Sequence, residues 1–228
     1  MTWADKLNEQ IVRCRLCPRL VAHRERVVRE KKREFRDWDY WGRAVPSLGR
    51  ADARLLIIGL APAAHGANRT GRMFTGDSSG QWLFRALHKA GFASQPTWQR
   101  RDDGLKLIDC YITAVCHCAP PENKPLPGEI ENCAGYLQEE LQRLTKCEVV
   151  IALGKIAFDH YLKSLKRMGV SLPKPLPRFA HNTVHELGSG LTVLVSSYHP
   201  SRQNTNTGKL TEAMFDAVFA TAKEILRS

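Results

Sequence analysis

The sequence predicts an α/β fold in which a mainly parallel sheet lies between layers of helices. Four apolar segments rich in β-branched residues alternate with segments whose apolar residues recur every three or four positions. The first pattern is typical of buried strands and the second of amphipathic helices. Because strands and helices alternate, consecutive strands are expected to pair in parallel through helical crossovers, which gives a three-layer α/β/α sandwich around a four-stranded sheet.

The chain begins with a predicted helical segment, residues 1–36, interrupted by the turn sequence CRLCP. Trp3, Leu7 and Ile11 have the spacing of one helix face. Residues 37–50 carry Trp, Tyr, Gly and Pro without periodicity, which indicates an irregular connection.

The remaining elements follow from periodicity, and no internal repeat or second domain is evident, so residues 1–228 are expected to form one domain. Strands are predicted at 55–58, 105–115, 149–154 and 191–197, and helices around 82–90, over 127–145, over 155–165 and from 211 to 226. Residues 169–185 contain four prolines and are predicted to form a loop or an edge hairpin.

The charge balance favours a polyanionic partner. The 34 Lys and Arg residues exceed the 23 Asp and Glu residues and give a net charge of +11. Part of the excess is a basic block from Arg24 to Arg36, for which a solvated helix face is the alternative interpretation.

The expected compartment and the number of cysteines both argue against a disulfide framework. No segment is long and apolar enough to span a membrane, and the amino terminus lacks a signal-peptide core, so a cytoplasmic protein is expected. Seven cysteines are an odd number and do not suggest a disulfide framework in that compartment. Cys110 and Cys147 lie in apolar runs and are interpreted as buried thiols.

Three of the predicted strands end in loops with polar side chains suited to catalysis. Asp77 ends the Gly-rich loop after the first strand, Asn123 lies in the Pro-rich loop after the second, and His199 follows the fourth. Because the carboxyl ends of parallel strands meet at one edge of a sheet, these side chains are expected to converge on one pocket.

The loop from Gly59 to Asp77 does not match the standard phosphate-binding loops. Gly66 and Gly71 have P-loop spacing, but Arg72 and Met73 stand where Lys and Ser or Thr are required, and no G-x-G-x-x-G pattern follows the strand. Glycines instead allow the backbone to approach a flat ligand closely, and Phe74 offers a ring to stack on it.

Four further cysteines have metal-ligand spacing. Cys14 and Cys17 form a C-x2-C pair, and Cys118 and Cys133 are separated by fourteen residues. On spacing alone, a structural zinc and an iron–sulfur cluster are both possible. Cys116 lies two residues from Cys118 and is an alternative ligand.

These motifs resemble, in order, those of the iron–sulfur uracil-DNA glycosylases, and within them the type-5 (family 5) enzymes. The resemblance covers most of the chain and is carried by GLAPAAHGANRTGRMFTGD at 59–77, CAPPENKP at 118–125, HPSRQN at 199–204, CRLCPRL at 14–20 and Cys133. Type-4 enzymes carry an acidic residue directly after the first glycine of the loop, whereas this chain has Leu60.

The resemblance implies a function and a cofactor. It implies that the chain hydrolyses the N-glycosidic bond of uracil in damaged DNA and leaves an abasic site. Type-5 enzymes also accept deaminated purines such as hypoxanthine, so similar breadth, including xanthine, is expected. By position, a [4Fe-4S] cluster is expected on Cys14, Cys17, Cys118 and Cys133.

The chemistry of that reaction assigns roles to the strand-end residues. Cleavage builds negative charge on the departing base, to which His199 is expected to donate a hydrogen bond. Asp77 is expected to orient water or stabilise the cationic sugar, although it directly precedes a helix and is also a candidate cap. Asn123 is expected to hydrogen-bond the base or the water, with a turn residue as the alternative.

Base and DNA contacts complete the predicted site. Stacking on an extruded base is expected from Phe74, and close backbone contact from Gly59, Ala61, Pro62 and Ala63. DNA contacts are predicted for six polar residues beside these loops, namely Arg69, Arg72, Ser201, Arg202, Gln203 and Asn204.

The sequence is also compatible with a protein of another class. A non-enzymatic iron–sulfur or zinc module that binds nucleic acid would also be basic and rich in cysteine. The Gly-rich loop facing His199 favours the enzyme, since a binding module does not need it. A monomer is expected.

Overall fold

The computed structural model, which describes residues 1–227, confirms a three-layer α/β/α sandwich. Its sheet has the strand order β1-β3-β2-β4-β6-β5, in which β2, β3, β4 and β6 are parallel and the two edge strands are antiparallel. The strands are β1 (Leu48–Gly49), β2 (Leu55–Gly59), β3 (Cys110–Ala114), β4 (Val149–Leu153), β5 (Thr183–His185) and β6 (Val193–Ser197).

Helices cover both faces of this sheet. They are α1 (Trp3–Arg13), α2 (Pro18–Glu30), α3 (Ala67–Thr70), α4 (Ser78–Ala90), α5 (Pro127–Arg143), α6 (Lys155–Arg167), α7 (Arg202–Asn206) and α8 (Glu212–Ile225). Within the described residues, no helix combines the length and the apolar character needed to cross a bilayer.

The core consists of two apolar layers separated by the sheet. One layer joins the sheet to α4 and α8 through residues such as Phe84 and Phe215. The other joins it to α5 and α6 through Leu137 and Phe158. Strand β2 lies between β3 and β4, and its buried side chains alternate between the two layers.

The strand register aligns the carboxyl ends of the parallel strands. Gly59 pairs with Ala114 on one side, and Leu153 pairs with Ser197 farther along the sheet. The loops that leave these residues therefore start from one edge, as expected for an open α/β sheet.

The structure departs from the expected four strands in two ways. Two short edge strands, β1 and β5, enlarge the sheet to six strands, and β5 lies in the segment predicted as a loop or edge hairpin. The predicted strand 105–115 is ordered as β3 only from Cys110. Asp109 has a left-handed backbone (φ 51°) and its carboxylate accepts a hydrogen bond from Arg54 Nε at 2.8 Å, which breaks the strand.

Candidate functional site

The ring of Phe74 lies directly over the last residue of the central strand. A Cβ added to Gly59 would stand 2.5 Å from Phe74 Cζ, so only glycine leaves room for the ring. Phe74 itself has a left-handed backbone (φ 54°), a conformation that costs a non-glycine residue of order 1 kcal/mol or more. The fold thus holds a half-buried aromatic ring in a strained position at the strand edge.

His199 faces Phe74 from the end of β6. The two ring centroids are 6.1 Å apart, with an angle of 31° between the planes. Burial lowers the pKa of His199 to about 4, so the imidazole is neutral at pH 7 and carries one N–H donor. Neither ring nitrogen hydrogen-bonds to another described residue, which leaves both free for a ligand.

Backbone donors at the end of β2 are also free. The N–H groups of Ala61, Ala63 and Ala64 donate to no other described residue, whereas the carbonyl of Ala63 accepts from both Gly66 and Asn68. The loop therefore presents backbone donors beside small side chains, as expected for a surface that approaches a ligand closely.

Asp77 caps helix α4, so the alternative interpretation of this residue is confirmed. Its Oδ1 accepts from Gly80 N–H at 2.9 Å, which makes Asp77 the N-cap of the helix that begins at Ser78. The second oxygen, Oδ2, lies against Gly66, where an added Cβ would stand 2.6 Å from it. Burial raises the pKa of Asp77, while the N–H groups at the helix start and the charge of Arg202 oppose the rise. Capping leaves one carboxylate oxygen available for a second role.

Asn123 is less clearly part of this group. It is exposed in the loop after β3, has a left-handed backbone (φ 56°), and its side chain contacts no described residue through a hydrogen bond. Its place after the second parallel strand matches the prediction, but no contact joins it to Phe74 or His199.

Arg69 is buried, which corrects its predicted contact with DNA. Only 2% of its surface is exposed. Its guanidinium lies 3.8 Å from the Phe35 ring centroid and 4.1 Å from that of Trp38, while Nε donates to the His65 carbonyl at 2.8 Å and Nη2 to the Gly76 carbonyl at 3.1 Å. Arg69 ties the two ends of the loop together instead of reaching a phosphate.

Arg72 is likewise internal, and its predicted DNA contact is corrected for the same reason. It forms a bidentate pair with Asp103, with both N···O distances 2.8 Å, and both side chains are largely buried. Arg72 and two backbone N–H groups hold the pKa of Asp103 well below its usual range despite burial. This pair fixes the loop to residues 99–105.

The predicted contacts after β6 divide into positioning and exposed residues. Asn204 Nδ2 donates to the His199 carbonyl at 2.8 Å, and Ser201 caps α7 by accepting from Asn204 N–H. Arg202 and Gln203 are exposed, and Arg202 Nε also donates to Ser78 Oγ at 3.2 Å. Asn204 thus orients the backbone of His199, while Arg202 and Gln203 remain accessible for DNA.

The predicted cysteine ligands lie together in a small buried cluster between α2, the loop after β3 and α5. Cys17, Cys118 and Cys133 are buried there and Cys14 packs against them. Cys116 belongs to the same cluster, with its Sγ 3.9 Å from that of Cys133. Cys110 and Cys147 lie in the main core layers, as interpreted from their apolar neighbours.

Two N–H donors that the sequence did not reveal point at these sulfurs. Arg24 Nη1 donates to Cys118 Sγ at 2.9 Å, and Asn132 Nδ2 donates to Cys17 Sγ at 3.4 Å. Arg24 is 2% exposed, although it begins the basic block for which a solvated helix face is the alternative interpretation. Its position in α2, four residues after buried Leu20 and three after buried Val21, was the available signal.

Taken together, the fold and the strand-end residues define a class of α/β protein with a candidate ligand site at the carboxyl edge of a parallel sheet. A sequence model of the uracil DNA glycosylase superfamily matches residues 46–223. A type-5 uracil-DNA glycosylase of Mycobacterium tuberculosis is 48% identical over 221 residues, which are 96% of this chain and 81% of that protein.

Other relatives agree. A type-5 uracil-DNA glycosylase of Thermus thermophilus is 48% identical over 95% of each chain. A type-4 uracil-DNA glycosylase of Archaeoglobus fulgidus is 32% identical over 50% of this chain and 49% of that protein. The chain therefore belongs to the uracil-DNA glycosylase superfamily, in its type-5 group.

Proposed function

We propose that this chain is a monofunctional DNA glycosylase that hydrolyses the N-glycosidic bond of uracil in DNA and leaves an abasic site. The observation that carries the proposal is the pairing of Phe74, held rigidly over Gly59, with a neutral His199 whose ring nitrogens bond to no described residue. The relatives of this chain in Mycobacterium tuberculosis and Thermus thermophilus are named for the same activity.

The residues divide the work of bond cleavage. Phe74 stacks on the extruded base, and His199 donates an N–H to the oxygen on which negative charge develops. A neutral donor suits this task because it does not need to exchange a proton with solvent. The free oxygen of Asp77 orients the attacking water or stabilises the cationic sugar.

The same pocket accounts for a broader range of bases. The backbone donors of Ala61, Ala63 and Ala64 can bond to carbonyl oxygens on either pyrimidines or purines, and their small side chains leave space. Deaminated purines such as hypoxanthine and xanthine are therefore proposed as further substrates. Release rates for these bases, compared with uracil in one duplex sequence, test this breadth.

The decisive experiment is base release followed by alkaline cleavage of the abasic strand. A uracil-containing duplex is expected to be cleaved, whereas His199→Ala should lose base release more than duplex binding. His88→Ala, on the exposed end of α4, is the matched control. Intact strands at stoichiometric unchanged protein would reject the enzyme in favour of a binding module.

We also propose that the cysteine cluster holds a [4Fe-4S] cofactor on Cys14, Cys17, Cys118 and Cys133. The donor set fits this group, because the thiols come from three segments packed together and two sulfurs accept N–H bonds of the kind that stabilise ligating thiolates. When bound, the cluster would cross-link the segments that carry its cysteine ligands, and it would take no part in hydrolysis.

Absorbance near 400 nm and iron analysis test this cofactor after anaerobic preparation. Stoichiometric zinc in a colourless protein would reject it. Cys118→Ser is expected to lose the absorbance and Cys116→Ser to retain it; the reverse result would make Cys116 the ligand.

A further inference from the structure

A second concave surface lies outside the base site, between α2 and the residues on either side of it. This cleft has a volume of 580 Å³ and is bounded by α2, the turn after α1 and residues 41–43. We call it the arginine cleft, after the four exposed arginines that line it: Arg13, Arg15, Arg29 and Arg43.

Two of the four exposed arginines of the cleft have no carboxylate partner, whereas Arg13 lies 3.7 Å from Glu9. Arg29 makes no ion pair or hydrogen bond through its side chain with another described residue, and Arg43 only rests near the Trp41 ring, at 5.4 Å. The single carboxylate lining the cleft, Glu25, is already paired with Arg15 at 2.8 Å. Several cations converging on one concave surface raise the local concentration of anions.

The floor of the cleft adds to this positive field. Arg24 lies there almost fully buried, with Nη1 on Cys118 Sγ and Nη2 on the Cys14 carbonyl. Its Nε is buried without a hydrogen-bond partner among the described residues. Because this atom is closed to solvent, Arg24 contributes its positive charge to the cleft and not a direct contact.

The groups present suit phosphate better than a nucleobase. Trp41 is the one aromatic side chain that lines the cleft, and Arg101 stacks on it at 4.0 Å while Arg43 lies at 5.4 Å. Its indole N–H is also used, donating to the Ala44 carbonyl at 2.9 Å. With no open ring for stacking, the arginines are left to bind phosphate without reading sequence.

The arginine cleft is joined by backbone hydrogen bonds to the loop from Gly59 to Asp77, which we call the base loop. The N–H groups of Trp41 and Gly42 donate to the carbonyls of Arg69 and Asn68 in α3, at 3.0 and 3.1 Å. The same segment reaches the end of β3, since Val45 N–H donates to the His117 carbonyl at 2.7 Å. One segment therefore forms the boundary between the two sites.

We propose that the arginine cleft binds phosphodiester groups of the DNA strand that flanks the extruded base. This inference rests on the proposed function, because it treats DNA held at the base loop as the source of the phosphates. Arg29 and Arg43 are the principal contacts, since neither is committed to a carboxylate.

The salt dependence of DNA affinity tests the proposal. Arg29→Gln/Arg43→Gln and the unchanged protein are titrated with a 30-base-pair uracil duplex between 50 and 200 mM salt. Loss of two phosphate contacts should make the log–log slope shallower by about 1.8, so that the unchanged protein loses about tenfold more affinity over this range than the variant.

The control variant, Lys146→Gln/Arg227→Gln, removes the same charge at the opposite edge of the sheet. Arg227 follows Leu226, whose carbonyl accepts from Arg54 just before β2, and Lys146 lies just before β4. Equal slopes for the two double variants would overturn the proposal. It would also be overturned if Arg29→Gln/Arg43→Gln weakened the binding of RNA and left the affinity for the DNA duplex unchanged. Failure of the unchanged protein to release uracil would instead contradict the proposed function.

Discussion

Phe74 shows how single residues set the geometry of the base site. The fold has room for its left-handed backbone and its ring because neither Gly59 nor Gly80 carries a side chain. A Cβ on Gly80 would collide with the Phe74 carbonyl. Strain held by the surrounding fold in this way is a feature of functional sites. The ring is therefore positioned before any ligand arrives.

Replacing Gly59 by Ala should displace this ring, because the new Cβ would lie 2.5 Å from Phe74 Cζ. A shift of about 1 Å at a reacting site costs on the order of 10²-fold in rate, so single-turnover base release should fall by about that factor. The control is Gly135→Ala in α5, where an added Cβ meets nothing within 4 Å. Equal rates for the two variants would show that ring placement is unimportant.

Asp77 and His199 should respond differently to pH. Burial raises the pKa of Asp77, so the ionised form needed to orient water is lost as pH falls through that raised value. His199 stays neutral above its pKa of about 4 and contributes no titration at higher pH. We expect the acid limb of the base-release profile to persist in His199→Gln and to disappear in Asp77→Asn.

The acid limb is measured by single-turnover release over the range in which both proteins remain folded. Asp77→Asn keeps an oxygen for the cap on Gly80, so its melting temperature provides the control for helix α4. An Asp77→Asn enzyme with full activity would restrict this residue to capping.

The strands and loops of the site were predictable because they follow simple periodicities. The apolar runs of β2, β3, β4 and β6 indicate buried parallel strands, and this alone places the following loops at one edge. The edge strands β1 and β5, of two and three residues, carry too little pattern to be recognised. Pairing with a neighbour, not local sequence, makes them strands.

Among the helices, α2 and α5 meet through the cysteines. A cofactor on these thiols would fasten the amino-terminal helices to the sheet. Cys17→Ser should abolish absorbance near 400 nm and increase hydrogen exchange in α1 and α2 relative to α8. Cys147→Ser, outside the cluster, should change neither property. Unchanged exchange after complete loss of iron would refute the cross-linking role.

Across the molecule, buried charges were the features that sequence could not assign. Arg69 and Arg72 lie in the base loop, where sequence alone predicts phosphate contacts, and only tertiary packing reveals the rings and the carboxylate that enclose them. Arg24 likewise belongs to a basic block of the sequence, and only packing reveals that its side chain is buried. Residue type and spacing identify the pocket, but the direction of a long side chain depends on neighbours distant in sequence.

Glu140 makes the stability of the fold depend on pH. It is fully buried, accepts from Ser47 Oγ at 2.5 Å and Tyr111 OH at 3.1 Å, and burial raises its pKa to about 7. Because the folded pKa exceeds the ordinary value, its stabilising contribution is complete below about pH 4.5 and is lost as pH rises through 7.

Glu140→Gln should remove that dependence. Relative to this variant, the unchanged protein should lose up to about 3 kcal/mol of unfolding free energy between pH 4.5 and 8, as measured by urea denaturation. His117 and His199 titrate in both proteins and cancel from the comparison.

The tryptophan rings around Arg69 also give the protein an internal optical signal. Trp38 and Trp98 both face this guanidinium, and Trp41 lies under that of Arg101, so three of the five tryptophans surround the base loop. Indole emission responds to a neighbouring charge. Any ligand that moves the loop will therefore change the intrinsic fluorescence, and loop motion can be timed separately from bond cleavage without an attached dye.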